Sequence, residues 1–214
     1  MAGCGSNNAN YDYSNTGSGK NTNSNENSSK ISDLEDNIII SGEITERGKL
    51  VILAKNTNNA VVDMDFEVEF YDVNGTIGGS DSDSLQAVGA NTEVAVEIYS
   101  TPDNFDNYKI YIDVEPSDVI SYFDKVELTH NNTGKEIAVQ VKNNSQDMIE
   151  YITVSIVFYK NNKVVGIEED IESDIKSSRS ANFVLNYPYK KIGYDKVDFD
   201  SYKVFITEAY SYNW

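Results

Sequence analysis

The chain repeats itself, and that repeat limits its architecture more than any single motif does. Phe105-Asp106-Asn107-Tyr108-Lys109-Ile110-Tyr111-Ile112 returns as Phe199-Asp200-Ser201-Tyr202-Lys203-Val204-Phe205-Ile206. Lys55-Asn56-Thr57 returns as Lys142-Asn143-Asn144, and Val68-Glu69-Phe70-Tyr71-Asp72 as Ile156-Val157-Phe158-Tyr159-Lys160. The offsets are 87 from Lys55 to Lys142, 88 from Phe70 to Phe158 and 94 from Phe105 to Phe199. Near-constant spacing with small insertions is the trace of duplication, and Gly78 is read as returning in Gly166. A chain of 214 residues then holds two units of roughly 100, each large enough to fold round a core of its own.

Within each unit the apolar period is two. Val62, Met64, Phe66, Val68 and Phe70 alternate with Asp63, Asp65, Glu67, Glu69 and Tyr71. On a strand this sets five apolar side chains on one face and four carboxylates on the other, whereas a helix would scatter both sets. Val94, Val96 and Ile98 repeat the pattern, as do Ile137, Val139 and Val141, and Ile152, Val154, Ile156 and Phe158. Asn74-Gly75 and Asn161-Asn162 fall where a long strand must reverse, and both pairs tolerate the positive φ of tight hairpin turns. No run of ten residues holds helical spacing. One-sided strands parted by polar turns predict antiparallel sheets packed face to face. The expected fold class is all-β, with two tandem immunoglobulin-like antiparallel β-sandwich domains, seven-strand-like, at residues 34–115 and 118–214. The join Glu115-Pro116-Ser117-Asp118 is short and carries a proline, so the domains are expected to hold a restricted angle.

Residues 1–33 have another character. From Gly5 to Lys30 they are almost entirely Gly, Ser, Asn, Thr and Lys, with Tyr11 and Tyr13 as the sizeable hydrophobes. Such a stretch cannot bury enough surface to offset its ordering entropy, and a disordered tether is expected. The single cysteine, Cys4, excludes an intrachain disulfide. Ala2-Gly3-Cys4 fits the last three positions of a bacterial lipobox, where small residues precede a cysteine that becomes acylated after cleavage. Cysteine, polar tether and folded units together have the layout of a bacterial surface lipoprotein. The expectation is a lipid anchor on Cys4, with several acyl chains giving stable attachment, and folded units on the extracellular or periplasmic side of the cell membrane.

The repeats resemble the FxLYD domain family, small immunoglobulin-like modules of exported bacterial and archaeal proteins. The family's Asn-Ser/Thr element corresponds to Lys55-Asn56-Thr57 and Lys142-Asn143-Asn144-Ser145. Its naming motif falls on Val68-Glu69-Phe70-Tyr71-Asp72 and Ile156-Val157-Phe158-Tyr159-Lys160. Both copies depart from it, with an aliphatic for the first aromatic and Phe for Leu, and the second has Lys for Asp. The resemblance implies a fold and an exported setting, and it brings no catalytic residues with it.

The charge, 17 Lys plus Arg against 35 Asp plus Glu for a net −18, disfavours phosphate backbones and anionic lipid surfaces, so nucleic acid is not expected as a partner. His130 is the one histidine, which excludes histidine triads and multi-histidine metal sites, and it reads as a surface residue at a strand end. Calcium has three candidate loops, Asp72-Val73-Asn74-Gly75, Asp81-Ser82-Asp83 and Glu168-Glu169-Asp170. None completes a calcium-loop pattern, and Asp and Asn are also ordinary turn residues. No metal or cofactor is expected. The Asp63, Asp65, Glu67, Glu69 stripe, with Glu93 and Glu97, reads as a solvated face. The matching Thr153, Ser155 and Val157 are uncharged, so an acidic docking surface belongs to the first unit alone.

Ligand contacts are sought among tyrosines, which combine large amphipathic area with small entropic cost. Phe158 and Phe199 lie 41 residues apart against 35 for Phe70 and Phe105, and the longer segment carries Tyr187, Tyr189 and Tyr194. These, with Trp214 and its neighbours Tyr210 and Tyr212, are the candidate ligand-binding residues; the competing reading packs the same rings along the sandwich. The functional expectation is a non-catalytic cell-envelope lipoprotein that binds or scaffolds a protein, peptide or glycan. The alternatives are a structural accessory of an envelope complex and, remotely, a calcium-dependent adhesion module.

Overall fold

The computed structural model describes residues 34–190 and 195–213. Cys4, the tether, Tyr194 and Trp214 lie outside the described residues. Thirteen strands run through the described chain: β1 Ile38–Ile44, β2 Leu50–Asn56, β3 Val62–Tyr71, β4 Ile77–Val88, β5 Glu93–Ile98, β6 Asn107–Pro116, β7 Ile120–Ser121, β8 Val126–Asn132, β9 Glu136–Asn143, β10 Ile149–Lys160, β11 Lys163–Ile175, β12 Ser180–Asn186 and β13 Ser201–Ser211. Every pairing is antiparallel. The sheets have the orders β1-β2-β5 and β4-β3-β6 in the N-terminal half, and β12-β9-β8 and β11-β10-β13-β7 in the C-terminal half.

Apart from β7, the second pair of sheets restates the first strand for strand. Each half has six long strands among the described residues, where the sequence predicts seven. β6 runs straight into the join at Pro116, leaving no chain to lay a further strand beside it, and the two-residue β7 just after the join pairs with β13 of its own, C-terminal half.

The repeated motifs sit at repeated contacts. Asn56 and Asn143 are both fully buried at the ends of β2 and β9. Asn56 Nδ2 donates to the carbonyls of Ala60, Val88 and Gly89, and its Oδ1 accepts the Asn58 N–H. Asn143 Nδ2 donates to the carbonyls of Asp147 and Ile175, and its Oδ1 accepts the Ser145 N–H. One amide thus ties the end of a strand to the turn after it and to the strand across the core. That requires a side chain with both donor and acceptor. Phe70 meets Phe105 edge-on at 5.0 Å and Phe158 meets Phe199 at 4.9 Å. Tyr108 and Tyr202 stand 6.5 and 6.4 Å from the same two rings.

The glycine equivalence needs correcting: Gly166 pairs with Phe158 and Gly79 with Phe70, so Gly79, not Gly78, is the counterpart. A Cβ would fall 2.8 Å from Pro102 at Gly79 and 2.7 Å from Pro188 at Gly166, whereas Gly78 has room. Proline stacking on a bare backbone is what the glycine permits. Asn161 and Asn162 have φ of 51° and 61° and join β10 to β11 in the expected two-residue hairpin.

Each half buries one apolar cluster between its sheets, around Phe66 and Phe70 in the first and Phe158 and Phe183 in the second. A third cluster joins the halves. Val51 of β2 and Ala95 of β5 pack on Val157, Val164, Ile167 and Phe205, with Leu53 and Tyr159 partly buried beside them. The sheets therefore stack in four layers, with β1-β2-β5 and β11-β10-β13-β7 innermost and buried on both faces along part of their length. Strands predicted to be one-sided are here two-sided: from Ile152 to Phe158 every residue of β10 is buried. The relative placement of the halves is held by this packing in addition to the short join.

Candidate functional site

The outer face of the β11-β10-β13-β7 sheet changes chemistry row by row. Ile167, Val157 and Lys203 form one row, and there the first half covers the sheet. Next come Glu169, Ser155 and Phe205, with Thr207 at a bulge in β13; then Ile171, Thr153 and Glu208; and last Ser173, Tyr151, Tyr210 and Ser121. Across about 20 Å of strand the face passes from apolar, through hydroxyls and carboxyls, to tyrosine.

The middle rows are a hydrogen-bonded seam. The Ser155 and Thr207 hydroxyls bond at 2.7 Å, Thr207 Oγ1 lies 3.4 Å from the Ala95 carbonyl of the first half, and Ser155 Oγ donates to Glu169 at 2.8 Å. Glu208 accepts the Thr153 hydroxyl at 3.0 Å and the Gln86 N–H, from β4, at 2.9 Å. Arg47 Nη1 bonds Glu168 at 3.3 Å, Lys203 Nζ bonds Glu93 at 2.6 Å, and the Val164 N–H reaches Glu43 at 2.8 Å. Burial, the largest influence on each, raises the pKa of Asp83, Glu97, Glu168, Glu169 and Glu208 above the ordinary carboxylate range. Tyr159 is pushed up to about 12 by burial, helped by Glu93 and Glu43.

Two of the three acidic runs considered for calcium lie in strands and not in loops, Asp81-Ser82-Asp83 in β4 and Glu168-Glu169-Asp170 in β11, and they meet here, where the charge of Asp83 acts on Glu169. Each run also spends oxygens on its own backbone, with Asp83 accepting the Ser84 N–H and Asp170 the Ile171 N–H. Among the described residues no group of three His, Cys, Asp or Glu is arranged to hold a metal ion. Asp72, in the third loop, accepts the N–H groups of Thr76 and Asn74, which hold its carboxyl below the usual range. That is turn chemistry.

The acidic stripe of β3 is partly engaged as well. Asp63 accepts the N–H of Ala87, a residue with φ of 56°, and Glu69 accepts hydroxyls from Tyr71 and Tyr111. Asp65 and Glu67 point to solvent. His130 is exposed on β8, its Nδ1 3.0 Å from the Tyr202 hydroxyl.

The candidate tyrosines divide into two places. Tyr187 packs edge-on against Phe199 at 4.9 Å and Phe158 at 6.2 Å, with Lys196 Nζ 4.7 Å above its ring. It extends the core, as the competing reading has it. Tyr189 is exposed and bridges to Lys196. Tyr210 and Tyr212 are at the other end of β10, against Tyr151: Tyr210 stacks on Tyr151 at 5.2 Å, and Tyr212 stands edge-on to both, at 6.0 and 5.6 Å. Seven residues of β10 separate Phe158 from Tyr151, roughly 23 Å, so the two groups form no single site. Tyr151 is 36% and Tyr212 38% exposed, and Ile171, one row from Tyr151, is 56% exposed. Tyr151 was not singled out from sequence, because Tyr151-Ile152-Thr153 reads as an ordinary strand start. The joint had a legible signal in the unbroken apolar run Leu50-Val51-Ile52-Leu53-Ala54, which marks a strand buried on both faces. The chain matches no protein-family model and no curated protein. Among the described residues no helix is long and apolar enough to cross a membrane.

Proposed function

We propose that this chain is a non-catalytic cell-envelope lipoprotein, anchored through acylated Cys4, that binds or scaffolds a protein, peptide or glycan. In this reading residues 34–115 and 118–214 are two tandem immunoglobulin-like modules of the FxLYD type beyond a disordered tether. The shared strand orders and the paired asparagine, phenylalanine and glycine–proline contacts support two modules of common descent. The lipobox-like start and the polar segment after it support export and anchorage.

The observation that carries a binding role is the three-tyrosine ledge of Tyr151, Tyr210 and Tyr212, flanked by Ile171. Tyr151 and Tyr212, braced by the buried Tyr210, present rigid amphipathic rings at the exposed end of a sheet face whose other end already serves as a packing surface. Trp214, outside the described residues, stays a candidate ligand contact from the sequence alone. Tyr189, with Tyr194, is the second candidate surface.

Binding of the untethered chain to isolated cell-wall and membrane fractions tests the reading. Tyr151→Ala with Tyr212→Ala is expected to weaken binding about tenfold or more, and Tyr189→Ala to leave it unchanged. A chain that binds no fraction favours the structural accessory role, and loss with Tyr189→Ala alone moves the site to the loop. Incorporation of labelled palmitate into the exported protein, abolished by Cys4→Ser, tests the anchor.

A further inference from the structure

We propose that the joint between the two halves is a proton-dependent clamp, tight while the carboxyls it gathers carry protons and looser as they ionise. On one flank the geometry sets acid against acid. The first half contributes Asp83 of β4 and Glu97 of β5, and the second half Glu168 and Glu169 of β11 and Glu208 of β13. Glu97 and the Glu168–Glu169 pair face each other across the joint. Asp83 faces Glu169 and Glu208, with Asp81 beside it on its own strand, and Asp63 of β3 also faces Glu208. Tyr99 stands over the same flank, close to Glu169, Glu97 and Asp83. The cations that face these groups are Arg47, bonded to Glu168 and close to Glu97, and Lys49, close to Glu97. The other flank is balanced, by Lys203 on Glu93 and by the Val164 N–H on Glu43.

Glu97, Glu168, Glu208 and Asp83 are half-buried, while Glu169 keeps more of its side chain in water. Hydrogen bonds from Gln86 and Thr153 to Glu208, and from Ser155 to Glu169, favour the ionised forms, yet burial outweighs them at both. Opening the joint returns all five carboxyls to water, so the closed form holds protons more tightly than the open one. The closed form's advantage is full at and below the ordinary carboxylate range. It is lost as pH climbs through the raised values, because the open state then gives up protons that the closed state must release at a cost.

Hydrogen exchange on the whole chain tests this at three amides that bond across the joint: Gln86 to Glu208, Glu46 to the Val165 carbonyl and Val164 to Glu43. Between pH 5 and 7.5 their protection, corrected for the intrinsic pH dependence of exchange, should fall about tenfold or more. The amides of Met64 and Val139, inside the two cores, should hold theirs. Glu97→Gln with Glu208→Gln should flatten the fall, and Asp65→Asn with Glu67→Gln, an equal charge change on the exposed face of β3, should leave it as in the parent. Equal protection at both pH values overturns the clamp, as does a fall shared by the core amides or one that survives in the Glu97→Gln, Glu208→Gln chain. A control that flattens the fall as fully would assign it to net charge and overturn the clamp as well; if the joint variant fails to fold, the parent's joint and core amides still decide.

Discussion

β3 and β10 occupy the same place in their halves, β3 between β4 and β6 and β10 between β11 and β13, and their inner faces are alike. Met64, Phe66, Val68 and Phe70 answer to Ile152, Val154, Ile156 and Phe158, all buried. Their outer faces differ wholly. Asp63, Asp65, Glu67 and Glu69 meet water, a bulge amide and two tyrosines, whereas Thr153, Ser155 and Val157 are buried beneath the neighbouring layers. The inner face answers to the fold of its own half, and the outer face to what stands next to it. A carboxylate at Val157 would be stripped of water beside a lysine, Lys203, that Glu93 already engages; in the row of Glu67 it costs nothing and aids solubility.

The largest expected effect comes from carrying the pattern of β3 onto β10. Val157→Glu buries a charge against Val51 and Ala95, where the cross-strand cation Lys203 is already engaged by Glu93, and should cost about 4 kcal/mol in urea unfolding, or part the halves in solution scattering. A loss under about 1 kcal/mol would mean that the joint does not cover this row. Next, Asn143→Ala and Asn56→Ala each strand buried carbonyls and a buried N–H, and about 3 kcal/mol is expected from either. Clearly unequal costs would break the equivalence of the two halves. Smaller again, Gly166→Ala and Gly79→Ala push a methyl into Pro188 and Pro102 and should cost about 1–3 kcal/mol, with Gly78→Ala milder than either. The smallest effect belongs to the reverse exchange: Asp65→Thr or Glu67→Thr should leave stability within about 0.5 kcal/mol by thermal melting.

Particular residues show how much of this could be read in advance. The alternation from Val62 to Phe70 announces a strand because period two is a local property of the backbone, and Asn161-Asn162 announces its turn for the same reason. The paired motifs gave the two halves, though not why Asn56 and Asn143 recur: their partners, Val88 and Ile175, lie 32 residues away in each case. Gly78 was matched to Gly166 because neither position shows, in sequence, which glycine carries a proline. The tyrosines looked like one group and form two, because the distance between Tyr187 and Tyr212 depends on which ends of β10 they reach. The acids of Asp81-Ser82-Asp83 and Glu168-Glu169-Asp170 read as separate loops in sequence, yet they lie in β4 and β11, and the joint brings them to one flank.

Periodicity and turn chemistry, short-range features of the chain, determined by themselves that it is made of antiparallel strands, and the internal repeat that they recur in two halves. Which faces stay wet was decided only by the tertiary structure. A β-strand carries the same side-chain alternation whether its second face meets water or another sheet, and only packing partners distant in sequence choose between them.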